Sequence, residues 1–110
     1  MEIIDIEQLS ECLTGEIDLD LDLMRCAIGE LKEHAAAMQT CIMPEDEAAW
    51  TSHAHRSFGA SASLGFKRLA HQFREAEFLQ HGTTDPSALL ERINETIGLT
   101  EHELSLMKLL

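Results

Sequence analysis

Of the residues in this 110-residue chain that can do chemistry, six histidines and three cysteines among them, His55 stands apart. It lies in the stretch Ala54-His55-Arg56-Ser57-Phe58-Gly59-Ala60-Ser61-Ala62-Ser63-Leu64-Gly65, inside a window that holds no Asp or Glu between Glu47 and Glu75. Arg56, Lys67, Arg68 and Arg74 fall in that window, so residues 48–74 carry a formal +4 while the rest of the chain carries −16. On a helix, the neighbours of His55 on its own face are Thr51, Ser52, Phe58, Gly59 and Ala62. All but Phe58 are small or lack a side chain. An imidazole is neutral at pH 7 and can take a phosphoryl group on a ring nitrogen as a covalent intermediate. The cleared face around it suits close approach by a second protein.

The other candidate groups offer less. A di-iron bundle needs Glu-x-x-His on two helices, and no Glu stands three residues before any histidine here. His53 and His55 are two apart, which on a helix turns them to different faces and argues against a shared metal. His34, His71, His81 and His102 read as ordinary surface or half-buried histidines. Asp18, Asp20 and Asp22 have calcium-loop spacing, but the sixth and twelfth positions hold Leu23 and Gly29 where glycine and an acid are needed. No metal and no cofactor is expected. Cys12, Cys26 and Cys41 are odd in number and far apart, which points to reduced thiols.

The elements that must position His55 are helical. Ile6, Leu9 and Leu13 give a short leading helix that stops at Thr14-Gly15. Ile17 to Leu23 alternates apolar and acidic residues like a strand, but no partner run exists, and the acids suit a helix N-terminus. Met24, Ile28, Leu31, Ala35, Met38 and Ile42 form one continuous apolar stripe. Pro44 with two acids behind it opens the next helix, from about Glu45 to Ser63, with Trp50, Ala54, Ser57, Ser61 and Leu64 on its buried side. Gly65 ends it. Leu69, Phe73 and Ala76 mark a third helix stopping near His81-Gly82, and Asp85-Pro86 starts a fourth, striped by Leu90, Ile93, Ile97, Leu104 and Met107. Gly98 is a place where that helix can bend. Four stripes and short connections predict an all-α, antiparallel four-helix bundle with a short leading helix, one domain spanning residues 1–110.

The pattern Ala54-His55, then Gly59, then Leu64-Gly65 resembles the histidine-containing phosphotransfer domain, which typically reads Ala-His-x-hydrophobic-Lys-Gly, small residues and Leu-Gly. The resemblance runs over residues 5–108 in helix order and is specific over residues 54–77. Leu69 and Phe73 match apolar positions of the family's following helix. Glu77 lies where the family has an acidic or amide residue supporting the histidine; its other reading is a solvated helix acid. Two positions depart: Ser57 replaces a hydrophobic residue and Phe58 replaces the lysine. By resemblance, the chain is a phosphorelay carrier in a two-component system, accepting and donating a phosphoryl group on His55 from and to receiver-domain aspartates. It is then a stoichiometric carrier and not an enzyme. Its partners are a response-regulator receiver domain, a hybrid histidine kinase or both. Gly59, Arg56 and Lys67 support the site, the two cations standing in for the absent lysine. Phe58, Ser52 and Ala62 form the docking face, with Phe58 either an apolar anchor or tipped partly into the core. The alternative is a bundle that has lost phosphotransfer and acts as a binding module for a receiver or kinase.

Composition fits. A length of 110 residues with 45% apolar content allows one modest core, and a net charge of −12 argues against nucleic acid and anionic membrane as partners. Neither end shows a signal segment and no apolar run approaches the ~20 residues of a membrane span, so a cytoplasmic location is expected.

Overall fold

The computed structural model describes residues 1–110 and contains five helices and no strand. Helix α1 spans Ile6–Cys12, α2 Ile17–Gln39, α3 Glu47–Ser63, α4 Lys67–Glu77 and α5 Pro86–Leu106. A 3-10 turn at Pro44–Asp46 leads into α3. Helices α2 to α5 form an up-and-down ring in which each packs on its sequence neighbour and α5 returns to α2. Inside lies one cluster of twenty buried apolar residues, with Trp50, Phe66 and Phe73 its largest wholly buried side chains. Burial of each such side chain contributes about 1.5–3 kcal/mol. No helix is long and apolar enough to cross a membrane.

Local sequence explains most of the boundaries. Asp5 caps α1 by accepting from the Gln8 amide at 3.2 Å, and Asp85 caps α5 by accepting from the Ser87 amide at 2.9 Å, with Pro86 in the first turn. The alternating stretch Ile17–Leu23 is helical, and it leaves Ile17, Leu19 and Leu23 exposed. Asp20 is buried there. Its carboxylate accepts from the Thr14 amide and hydroxyl, both at 2.8 Å, and from the Gly15 amide at 3.1 Å. The Thr14 amide above all holds its pKa below the ordinary carboxylate value, and the tie fixes the turn between α1 and α2.

Several boundary and burial expectations change, among them Leu64 and Met107, which lie just past the ends of α3 and α5 and are only half-buried. In the leading helix Ile6 points to solvent, and Ile4, before the helix, enters the core instead. The α2 stripe runs inward through Met38, but the helix stops at Gln39 because Thr40 caps it, with its hydroxyl on the Ala37 carbonyl at 2.6 Å. Cys41 is then buried, and Ile42 lies outside the helix and only half-buried. Helix α4 ends at Glu77, four residues before His81. The chain leaves the helix there to turn His81 inward against the edge of Trp50, where it is 7% exposed and its amide donates to Glu47 at 3.3 Å. His81 is therefore a buried histidine. Gly98 lies within an unbroken α5.

Helices α3 and α4 are antiparallel: the Trp50 indole N–H, near the start of α3, donates at 2.8 Å to the Ala76 carbonyl near the end of α4. The tip of this hairpin is Gly65, with a φ of +77° that favours glycine. A Cβ at Gly65 would lie 2.7 Å from the Asp5 carbonyl oxygen, because the N-terminal segment is laid directly across the tip. The Asp5 amide donates to the Gly65 carbonyl at 2.7 Å, and Gln8 and Cys12 reach the Ser63 carbonyl at 3.1 Å each.

Candidate functional site

His55 sits near the middle of α3, on the side opposite Trp50, Ala54, Ser57 and Ser61, all of which are buried. Its side chain is 65% exposed. Antiparallel packing brings the last residue of α4 level with it: His55 Nδ1 is 2.6 Å from Glu77 Oε1. An ionised carboxylate only accepts, so in the neutral ring Nδ1 carries the proton and Nε2 the lone pair. Glu77 itself is only 13% exposed, whereas the imidazole faces solvent.

The face around His55 is open. Ser52, Gly59 and Ala62 are exposed, and Thr51 is half-buried. A Cβ added at Gly59 would meet no atom within 4 Å, so no packing need explains that glycine. Phe58 is half-buried and packs against the core cluster, while Ser57 beside it is wholly buried and its hydroxyl has no partner. Phe58 thus tips partly into the bundle.

The cations are distributed differently from the sequence expectation. Arg56 is exposed, and its charge is one of the influences that lower the His34 pKa. Lys67 opens α4 beside Asp5, Ala62 and Gly65, at the hairpin tip. The cation beside the acceptor of His55 is Arg74, whose Nη1 is 3.5 Å from Glu77 Oε2. Its guanidinium carbon stands 4.6 Å over the Phe58 ring and 5.0 Å over the Phe78 ring. The usable sequence signal was the spacing of Arg74 and Glu77, three apart and thus on one helix face.

A second histidine arrangement was not foreseen. His34 and His53 meet across α2 and α3 with their Nδ1 atoms 2.9 Å apart. Their ring centroids are 5.2 Å apart, the nitrogen separation plus two ring radii, so the rings point head-on along one hydrogen bond. Desolvation in the groove, then His53 and Arg56, hold His34 below its ordinary 6.5, with Glu30 and Glu33 acting the other way. No three His, Cys, Asp or Glu side chains converge as a metal site would require.

The chemistry open to the site is transfer to Nε2. Attack on a phosphoryl group leaves the ring cationic with its proton still on Nδ1, facing the Glu77 carboxylate. No protein-family model matches the chain, and neither a curated protein nor a solved structure matches it significantly.

Proposed function

We propose that this chain is a phosphocarrier of a two-component phosphorelay that acts through His55. The Nε2 lone pair attacks the phosphorus of a receiver's aspartyl phosphate. The N–P bond forms as the P–O bond breaks, the aspartate leaves with the bonding pair, and the reverse step passes the group on. The single observation that supports this best is the exposed His55 whose Nδ1–H is held at 2.6 Å by a carboxylate of the neighbouring helix. That contact places the proton of the neutral ring on Nδ1, which leaves the lone pair on Nε2, and it balances the charge the ring acquires. The open face of Ser52, Gly59 and Ala62 gives the receiver its approach, and the +4 window of residues 48–74 complements a receiver's acidic pocket. No cofactor belongs to the carrier itself. The setting implied is the cytoplasm, with a response-regulator receiver domain or a hybrid histidine kinase as partner.

The test is incubation with a panel of phosphorylated receiver domains, following radiolabel onto the chain. Label should appear on the wild type, be acid-labile and base-stable, and be absent from a His55→Gln protein that melts like the wild type. Label retained on His55→Gln refutes the assignment. A wild type that binds receivers but takes no label is instead a binding module.

A further inference from the structure

An acidic acceptor helps the imidazole and hinders the phosphoryl group. Glu77 stabilises the cationic ring, but its charge repels an incoming anion at Nε2 of the same ring. A phosphoacceptor site built on Glu77 therefore needs a cation that offsets the carboxylate without displacing the Nδ1 contact. The three other cations of the acid-free window do not pair with Glu77, whose partners are His55 and Arg74: Arg56 is exposed on α3, Lys67 lies at the hairpin tip, and Arg68 is spent on the Met1 carbonyl through Nε at 3.2 Å and through Nη2.

We infer that Arg74 is the positioning residue of this site, acting on His55 through Glu77, and that Phe58 is the seat that holds it there. This rests on the phosphocarrier reading. Oε1 of Glu77 accepts from His55 Nδ1 and Oε2 faces Arg74 Nη1, so one carboxylate is shared between histidine and arginine on its two oxygens. Arg74 cannot hold that position by the carboxylate alone, since at 3.5 Å the contact is long and the side chain is half exposed. The two rings supply the rest. The guanidinium lies within cation–π distance of both Phe58 and Phe78. Phe58 comes three residues after His55 on α3, so it brings the α4 arginine to the position one helical turn from the histidine. The aromatic residue at that place thus has a use: it recruits a charge from the neighbouring helix. Phe78, 68% exposed, is the second ring, 5.0 Å from the guanidinium carbon.

The experiment uses the full chain and four proteins: wild type, Arg74→Gln, Arg74→Lys, and Arg74→Gln combined with Phe58→Lys. Two quantities are measured on each: the rate of phosphorylation by a phosphorylated receiver and by the small donor phosphoramidate, and the His55 tautomer from imidazole 15N shifts. Arg74→Gln should be slower with both donors by about tenfold or more, the scale on which loss of an outer partner acts at a metal-bound histidine. It should also shift His55 from the Nδ1–H form toward a mixture. Arg74→Lys should recover most of the rate, and Phe58→Lys should rescue Arg74→Gln by placing a cation on α3 directly. Arg74→Gln proteins that match the wild type in rate and tautomer overturn the inference while leaving the phosphocarrier reading standing. Slower transfer with an unchanged tautomer overturns the positioning role. A wild type that takes no label from either donor removes the phosphocarrier reading, and this inference with it. Melting curves of all four identify any loss that comes from unfolding.

Discussion

Gly59 offers a test in which stability and function should move in opposite directions. It lies inside α3, exposed, one turn beyond His55, and an added Cβ would meet nothing within 4 Å. A helix-interior glycine costs about 0.5–1 kcal/mol relative to alanine, because more backbone freedom is lost on folding. Gly59→Ala should recover that amount with no steric penalty. With an unfolding entropy of about 2.1 cal/mol/K per residue across the chain, the gain corresponds to a melting temperature higher by about 2–4 °C. If the glycine is kept so that a receiver can approach His55, larger residues should stabilise the helix and damage docking. Gly59→Leu should therefore melt no lower than wild type, yet slow transfer from a phosphorylated receiver far more than transfer from phosphoramidate. Calorimetry and the two transfer assays read both effects. A Gly59→Ala protein that melts lower, or a Gly59→Leu protein as fast as wild type with receivers, would refute the account of this face.

Two further substitutions test the frame around the site. Gly65→Ala forces a left-handed backbone costing about 1–2 kcal/mol onto a residue with a side chain and drives its Cβ against the Asp5 carbonyl. The melting temperature should fall by at least about 4 °C, and an unchanged melt would show that the N-terminal segment yields freely. For His34 the folded pKa lies below the ordinary 6.5, so the unfolded chain binds the proton more readily. Its contribution is then fully present above that ordinary value and is lost as pH falls through it toward the folded value. The head-on pair with His53 can carry one proton between the nitrogens but not two, which sharpens the loss. Urea denaturation between pH 8 and pH 5 should show stability falling toward acid, with a shallower slope in His34→Gln; equal slopes would refute the assignment.

The helices were legible where one element decides its own fate. The apolar stripe of α2, the Asp85-Pro86 start of α5, the glycine at the hairpin tip and the buried side of α3 all follow from periodicity or backbone chemistry within a few residues. What escaped depends on a second element. The end of α4 is set by His81 finding room against Trp50, and the exposure of Ile6 by Ile4 filling its place, neither of which a one-dimensional pattern contains. The same division holds at the site. His55 and Gly59 could be named from the motif and its spacing, and Glu77 from the family resemblance. The spacing of Arg74 to Glu77 was there to be read, but its closeness to Phe58 was not, because the register of α3 against α4 fixes it. Nor was the meeting of His34 with His53, nineteen residues apart on different helices.

Trp50 gives the molecule an optical handle of its own. It is the only tryptophan, there is no tyrosine, and its indole is wholly buried with the N–H on the carbonyl of Ala76, the residue next to Glu77. Ultraviolet emission from this chain is therefore the signal of one ring attached to the peptide that leads into the histidine's acceptor. Any event that draws the end of α4 away from α3 lengthens that bond, admits water to the indole and moves its emission to the red. Opening of the α3–α4 hairpin can thus be followed without a dye, by light from a side chain on the face of α3 opposite His55.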